Sequence, residues 1–475
     1  MTGATLRIAR EEWRALARSR VALIAGALLL VLIVTATFIS MQKQQAIDEA
    51  RARYQSEQID EFYSQPDRHP HRMVHYGQYV FRPLAPLAFF DFGVDPYTGN
   101  MVFLEGHRQN SANFAEARQS SLMLRFGQLT PAFVLQTLAP LLIIFLAFRA
   151  LAGERERGTL RLMLAQGISA RQLISGKLLA HTGVAGAVLL PALVALGVMA
   201  ATAGTSSAQA GLMMLAYIAY LLVWTMIALL VSTLLPRGRD ALLALIGLWM
   251  VTVVLLPRGL PEVAAASETA PTRIETDVAI GRDLKAIGDS HDPEDPYFNE
   301  FREATLARYG VTDVLDLPVQ YAGLVTMEGE RLTSGLFDRY ADVAAAREDR
   351  QNDLVRAFGV ASPLIAVRQL SMTLAGTDLD SHQDFLAQVE RYRYRFVQEL
   401  NLMQVEQIPS RDPGDDPRID AANWLDVPGF SYVSPDPLAY AGGRIAATFV
   451  ILLLWLGGLA LLLVLAGRRL ARIAR

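Results

Sequence analysis

Cysteine is absent from the 475 residues, which excludes a disulfide framework and thiolate chemistry. Any exported part must hold together by packing alone. A phosphate-binding loop is missing too. Gly176-Lys177 has Arg171 where the G-x-x-x-x-G-K-[ST] pattern needs its first glycine, and Leu178 where it needs a hydroxyl to hold magnesium. No Ser-His-Asp order, zinc-protease helix or nucleophile elbow is visible, so the chain reads as non-catalytic. Acidic residues are missing from the middle of every long apolar run. Intramembrane charge is costly and usually marks an ion-coupled pump, so its absence argues against a proton- or sodium-driven transporter. A basic excess is also lacking. With 44 Lys and Arg against 47 Asp and Glu, the net charge of −3 gives no reason to expect a nucleic-acid partner.

What is abundant is apolar surface. Hydrophobic residues make up 52%, charged residues only 19%, and the mean hydropathy is +0.26. That is too apolar for an ordinary soluble protein and too charged for one wholly in lipid. A bilayer core needs roughly 20 apolar residues per helix. Six runs meet or approach this: 21–41, 129–148, 178–203, 210–235, 241–257 and 445–466. The fifth is short, and a buried or re-entrant helix is the alternative there. Orientation follows from Lys and Arg in the short flanking segments. Arg7, Arg10, Arg14, Arg18 and Arg20 precede the first run, Arg237 and Arg239 separate the fourth and fifth, and Arg468, Arg469, Arg472 and Arg475 lie in the tail 467–475. The loop Gly204–Ala208 has no charge. Both termini and segment 149–177 are therefore expected to be cytoplasmic, and 42–128 and 258–440 extracytoplasmic. Residues 1–20 interleave Leu6, Ile8, Trp13 and Leu16 with arginine, as in a helix lying in the headgroup zone. The apolar run that follows is longer than a signal-peptide core.

Segment 149–177 reads RALAGERERGTLRLMLAQGISARQLISGK. Glu154 to Arg157 open a helical piece that Gly158-Thr159-Leu160 continue through Leu164, and Gly167 suits a helix C-cap. Ser169 with Gln172 forms a capping-box pattern for a second helix, which has no stop before the apolar run at Leu178. A short amphipathic helix would thus turn straight into a membrane span. A solvated connector is the plain alternative, and the order of these signals argues against it. The segment resembles the first cytoplasmic loop of ABC-2 type permeases, whose coupling helix docks on an ATP-binding subunit. Gly167-Ile168 stands where many relatives place proline. The resemblance implies that Glu154, Arg155, Glu156, Arg157, Gly158, Thr159, Leu160, Gln166 and Ser169 contact the ATPase or hold the coupling helix.

The outer segments carry weaker signals. Gln42 to Tyr63 should continue the first span as a helix outside the membrane until Pro66. His69, His71 and His75 offer three imidazoles with Asp67 beside them. Pro70 separates the first two, and no cysteine or second carboxylate has a recognisable spacing, so an exposed polar loop is the preferred reading over a metal site. Leu87–Phe90 and Met101–Leu104 suit short strands around the turn Asp95–Asn100, in a stretch whose aromatics read as membrane-proximal packing. Helices are expected over 271–287, 296–309, 335–358 and 363–374, the last stopped by Gly376. The clearest is 381–407, where Phe385, Val389, Tyr392, Phe396, Leu400 and Met403 form one apolar stripe. The stripe is the core of a helical domain or a dimer seam. Arg391, Arg393, Arg395 and Glu390 flank it as a solvated face. Pro409, Pro413, Pro417, Pro428, Pro435 and Pro437 make the return irregular, and Asp415-Asp416 and Asp378 with Asp380 read as turn or cap acids.

A second set of residues extends the likeness. Gly93-Val94-Asp95-Pro96, Phe126-Gly127-Gln128-Leu129-Thr130-Pro131, Phe358-Gly359-Val360-Ala361-Ser362-Pro363, Leu374–Asp378 and Glu390-Arg391-Tyr392-Arg393 together resemble ABC-2 type permeases that carry a large periplasmic domain of unknown function, DUF3526-like. The resemblance implies an all-α membrane fold of six transmembrane helices, type V exporter-like, with a mainly helical extracytoplasmic domain built from two insertions. It implies a permease subunit in the bacterial cytoplasmic membrane, paired with an identical or related subunit. The chain shows no ABC signature sequence, so ATP and Mg2+ would sit on two separate ATPase subunits and no cofactor in this chain. Export of a substrate is the expected activity. A non-transporting complex that moves a periplasmic partner is the alternative, and a membrane-tethered hydrolase is disfavoured by the missing motifs.

Overall fold

A computed structural model describes residues 3–112, 128–202, 206–290, 292, 294–411 and 416–473. Phe126 and Gly127, Gly204, Pro413, Asp415 and Arg475, all used above, lie outside the described residues. The chain is a mainly helical, multi-pass membrane protein. Among the described residues, six helical stretches are long and apolar enough to cross a bilayer: Arg20–Tyr63, Pro131–Glu156 (divided by turns at 148–151), Ala170–Thr202, Ser207–Leu234, Gly238–Ser267 and Pro437–Arg472.

Helix α1 (Gly3–Arg18) is separated from α2 (Arg20–Tyr63) by Ser19, whose hydroxyl accepts from the Ala22 amide. Past Ser19, α2 runs 44 residues without a break. Its first half is apolar and its second half polar, so one helix crosses the bilayer and continues into the water-exposed region, here called the head. The second span, α4 (131–147), starts at Pro131 with Thr130 capping the Phe133 amide. A π-helical segment, Val134–Leu138, precedes Pro140. Proline lacks an N–H and crowds the carbonyl one turn back, and here the Gln136 carbonyl accepts from the Tyr220 hydroxyl instead, at 2.6 Å. The same device recurs in α9 (Gly238–Ser267). Its π segment Met250–Leu255 precedes Pro257, and the Thr252 carbonyl accepts from Ser362 Oγ at 2.7 Å. The helix around the fifth apolar run is therefore not short, because Pro257 and Pro261 sit inside it without ending it.

The remaining elements are α3 (Pro70–Tyr76), β1 (Gln78–Phe81), β2 (Met101–Leu104), α5 (Ala152–Glu156), α6 (Thr159–Ala165), α7 (Ala170–Thr202), α8 (Ser207–Leu234), α10 (Arg273–Ile287), α11 (Pro296–Tyr309), α12 (Tyr321–Ala357), α13 (Pro363–Ala375), α14 (Leu379–Gln407) and α15 (Pro437–Ile473). The two long segments between spans, 42–128 and 258–440, expected above to be outer, share one head core. Phe62 and Val74 from the first pack with Phe385, Phe396, Leu400 and Trp424 from the second. The stripe on α14 is thus core rather than a seam. One backbone bond and one side-chain bond reinforce the union: the Ile419 amide donates to the Arg68 carbonyl at 3.1 Å, and the Trp424 indole Nε1 to the Pro66 carbonyl at 3.3 Å.

Helix α13 does not belong to that core. Leu364, Val367, Leu370 and Leu374 pack with the spans. Ser371 lies 2.9 Å from the Tyr217 hydroxyl, which accepts from Gln136 Nε2 at 2.7 Å. Gln136 also reaches Asp91 Oδ2 at 3.4 Å. A piece of each outer segment is therefore tied into the bundle.

Several expectations are corrected. Strand β2 pairs antiparallel with β1, Gln78 opposite Leu104, and not with 87–90. Leu87, Phe89 and Phe90 form turns buried against the spans, and Asp95–Thr98 is a helical turn. The histidine segment is the helix α3 rather than a loop, with its own Met73 and Val74 fully buried on the inner face. Helix α12 starts fourteen residues earlier than Gly335, at Tyr321. Its glycines lowered the helical signal, and Gly323 serves a close crossing: a Cβ there would lie 2.7 Å from Val405 Cγ2. Arg393 and Glu390 are not solvated. Arg393 is 1% exposed and sits between Glu330 and Glu390, whereas Arg391 and Arg395 do face water.

Candidate functional site

The loop between the second and third spans is clamped to α1, α7, α8 and α9. Helix α1 lies against α7 at Gly176, where a Cβ would be 2.7 Å from Ile8 Cβ. That contact brings Glu12 to Lys177, whose ammonium donates to Glu12 Oε2 at 2.7 Å and to Glu154 Oε1 at 3.3 Å. His181 Nε2 is 3.3 Å from the other Glu12 oxygen. Burial alone would raise the Glu12 carboxyl, but its hydrogen bond to His181 and the Lys177 charge overcome this and hold it at about 2. Burial likewise opposes ionisation of Glu154. Its hydrogen bond from the Thr159 hydroxyl and the Lys177 charge outweigh that and lower it.

The other clamps run to α8 and α9. Ser232 Oγ donates to the Phe148 carbonyl at 2.8 Å and accepts from the Leu151 and Ala152 amides at 3.0 and 3.1 Å. These are orphan groups at helix ends, and one hydroxyl satisfies three of them. Arg155 donates to the Thr233 carbonyl at 2.9 Å, and Glu156 accepts from the Gly238 amide at 2.8 Å. Arg149 pairs with Glu156 at 3.2 Å and Arg157 with Glu154 at 3.2 Å.

The loop is two helices rather than one from Glu154 to Leu164. Gly158 has φ +75 and separates α5 from α6, a left-handed position that only glycine adopts cheaply. Gly167, at φ +87, ends α6 in the same way. Ser169 and Gln172 then cap each other: the Ser169 amide donates to Gln172 Oε1 at 2.9 Å, and the Gln172 amide to Ser169 Oγ at 3.2 Å. From there α7 runs 33 residues into the third span.

The named residues therefore divide. Glu154, Arg155, Glu156 and Thr159 bond within the chain, and Leu160 is buried. Gln166 and Ser169 are exposed, as are Gly158 and Arg157. Two further residues, Arg161 and Leu162, share the outward face of α6 with Ala165 and Gln166. Leu162 is 59% exposed. The signal was present: Leu160, Met163 and Leu164 follow a helical period toward the core, and Leu162 falls off it.

Residues 273–433 match the family model described as a domain of unknown function, DUF3526. No curated protein matches the chain. The DUF3526 match spans α10 through α14 and most of the return to α15, all of them outside the loop. Support for the loop as a working part comes from its own geometry.

Proposed function

We propose that this chain is the membrane subunit of an ATP-driven transporter of the ABC-2 kind, exporting a substrate across the bacterial cytoplasmic membrane. Two copies, or one copy with a close relative, flank the path. Two separate ATPase subunits carry ATP and Mg2+ and dock on the helix around 154–166. The termini and the loop are cytoplasmic, and the head is periplasmic. What supports the reading is a single feature: an exposed apolar residue, Leu162, on a short helix fastened at its root to α1, α7, α8 and α9. A push on α6 reaches the third span through Lys177–Glu154 and the fourth through Ser232. Glu154, Arg155, Glu156 and Thr159 act as the mount, and Arg161, Leu162 and Gln166 as the contact.

Replacing Glu154 and Glu156 together by lysine sets like charge against Lys177 and removes the bond to Gly238. The expected outcome is lower ATPase stimulation in the reconstituted complex with membrane insertion intact. Unchanged ATP turnover would remove the loop from the coupling path.

One observation favours a second reading, in which the ATPase moves a periplasmic partner and no solute crosses. Helix α2 is unbroken for 44 residues, about 66 Å at 1.5 Å per residue. It begins beside α1 and delivers Phe62 into the head core. Such a rod carries displacement from one end of the molecule to the other.

A further inference from the structure

The head gathers three histidines from two elements. His71 and His75 stand one turn apart on α3, with their Nε2 atoms 3.2 Å from each other. His107 arrives from the turn after β2. The ring centroids of the three lie 4.8, 5.5 and 5.3 Å apart, and one nitrogen from each falls within 4.8 Å of the others. A metal–nitrogen distance of about 2.0–2.1 Å in a tetrahedral site puts ligand nitrogens about 3.3–3.4 Å apart. The His71–His75 pair already has that spacing, and a modest ring rotation brings in His107.

Two further features point the same way. His107 is the one non-glycine residue with positive φ among the described residues, at +62. A side chain with a Cβ is disfavoured there, and such strain tends to persist where surrounding structure holds a functional group in place. Both partly buried rings also have partners behind them. His71 Nδ1 is 3.3 Å from Asn401 Oδ1, and His107 Nδ1 is 3.4 Å from Glu330 Oε2, which also accepts from the His107 amide at 3.0 Å. A carbonyl or carboxylate behind a ligating imidazole fixes its tautomer and makes Nε2 the ligand atom. Glu330 is fully buried and held in turn by Arg393.

We propose that His71, His75 and His107 bind a divalent first-row transition ion of the Zn2+ class, with the fourth position open on the exposed His75 side. Imidazole suits Zn2+, Cu2+ and Ni2+, whereas Mg2+ and Ca2+ require oxygen ligands. The ion joins α3 to the hairpin directly. Through Asn401 and Glu330 it also joins the first outer segment to α14 and α12. The site stands apart from the loop and does not depend on how the chain is energised.

The test uses the full chain in detergent, purified without a polyhistidine tag and stripped with a chelator. Calorimetric titration with Zn2+ should show one equivalent per chain and a higher melting temperature. Co2+ should give the visible absorption of a nitrogen-ligated, low-symmetry site. His71→Gln and His107→Gln should each abolish stoichiometric binding. Asn401→Ala, which leaves all three ligands, should weaken it about 10–100-fold. Size-exclusion profile and helical circular dichroism identify the variants that fold. Failure of the folded, unaltered chain to take up one equivalent of Zn2+ would overturn the proposal. So would full binding by a folded His71→Gln, His107→Gln double variant, or equal stabilisation by Mg2+.

Discussion

A Leu162→Asp chain is expected to insert and fold normally and to lose most of the ATPase stimulation of its complex. Leu162 is 59% exposed and sits on α6, whose root is bonded to α1, α7, α8 and α9. Its side chain packs little against the rest of the chain, so an aspartate there leaves the packing of the isolated chain intact. At a docked interface the same change places a carboxylate in a desolvated apolar contact. A hot spot at the centre of an interface costs about 2 kcal/mol or more when lost, which is about 30-fold in affinity. Steady-state ATP turnover of the reconstituted complex, read against ATPase concentration, separates weakened docking from lost coupling. A conservative Leu162→Met control should retain nearly full stimulation. Wild-type turnover for Leu162→Asp would show that α6 is not the contact.

The second large effect is expected in the head. Arg393→Met should destabilise it by about 3–5 kcal/mol, the usual cost of breaking a buried ion pair from one side. The guanidinium donates to Glu330 at 2.6 Å, to Ser334 at 2.6 Å, to both oxygens of Glu390 and to the Glu105 carbonyl at 3.3 Å. Methionine fills much of the volume but leaves two carboxylates facing each other in the core. Glu330 is fully buried and Glu390 nearly so. Thermal melting of the full chain, followed by tryptophan fluorescence, provides the measurement, since Trp424 is buried in the same core. Removing one of the two uncompensated carboxylates with Glu330→Gln in the Arg393→Met background should recover part of the loss. A melting curve unchanged by Arg393→Met would mean that the ion cluster is dispensable.

These two residues show what the chain reveals in one dimension. The six apolar runs, the cap at Gly167 and the reciprocal Ser169–Gln172 pair are local, and each follows from residues within one or two turns. Gly158 is local as well, yet glycine inside a helical pattern is ambiguous, and only its left-handed φ separates α5 from α6. Arg393 was unreadable for another reason. Arg393 falls at the edge of the apolar stripe, four residues after Val389 and three before Phe396, but its partner Glu330 lies on a different helix, so nothing local separates a buried ion pair from a solvated arginine. His107 is similar, because β1 and β2 must pair before it reaches His71 and His75. The turns at 87–90 misled because a run of Leu and Phe suits a strand and a buried turn equally well. Burial against the spans, not propensity, decides between them. Leu162 was legible as an exposed leucine off the helical period, but the charged residues beside it drew the functional reading to themselves. Glu154, Arg155 and Glu156 bond within the chain.

The central claim is that a separate ATP-binding chain engages the outward face of α6. The absence of cysteine makes the most direct measurement clean: Leu162→Cys introduces the single thiol of the protein. A thiol–amine cross-linker applied to inner-membrane vesicles is expected to join this position to an ATP-binding subunit, with a yield that changes when nucleotide is added. Modification of that thiol in intact cells by a membrane-impermeant reagent, with no ATP-binding chain captured from the vesicles, would contradict the account.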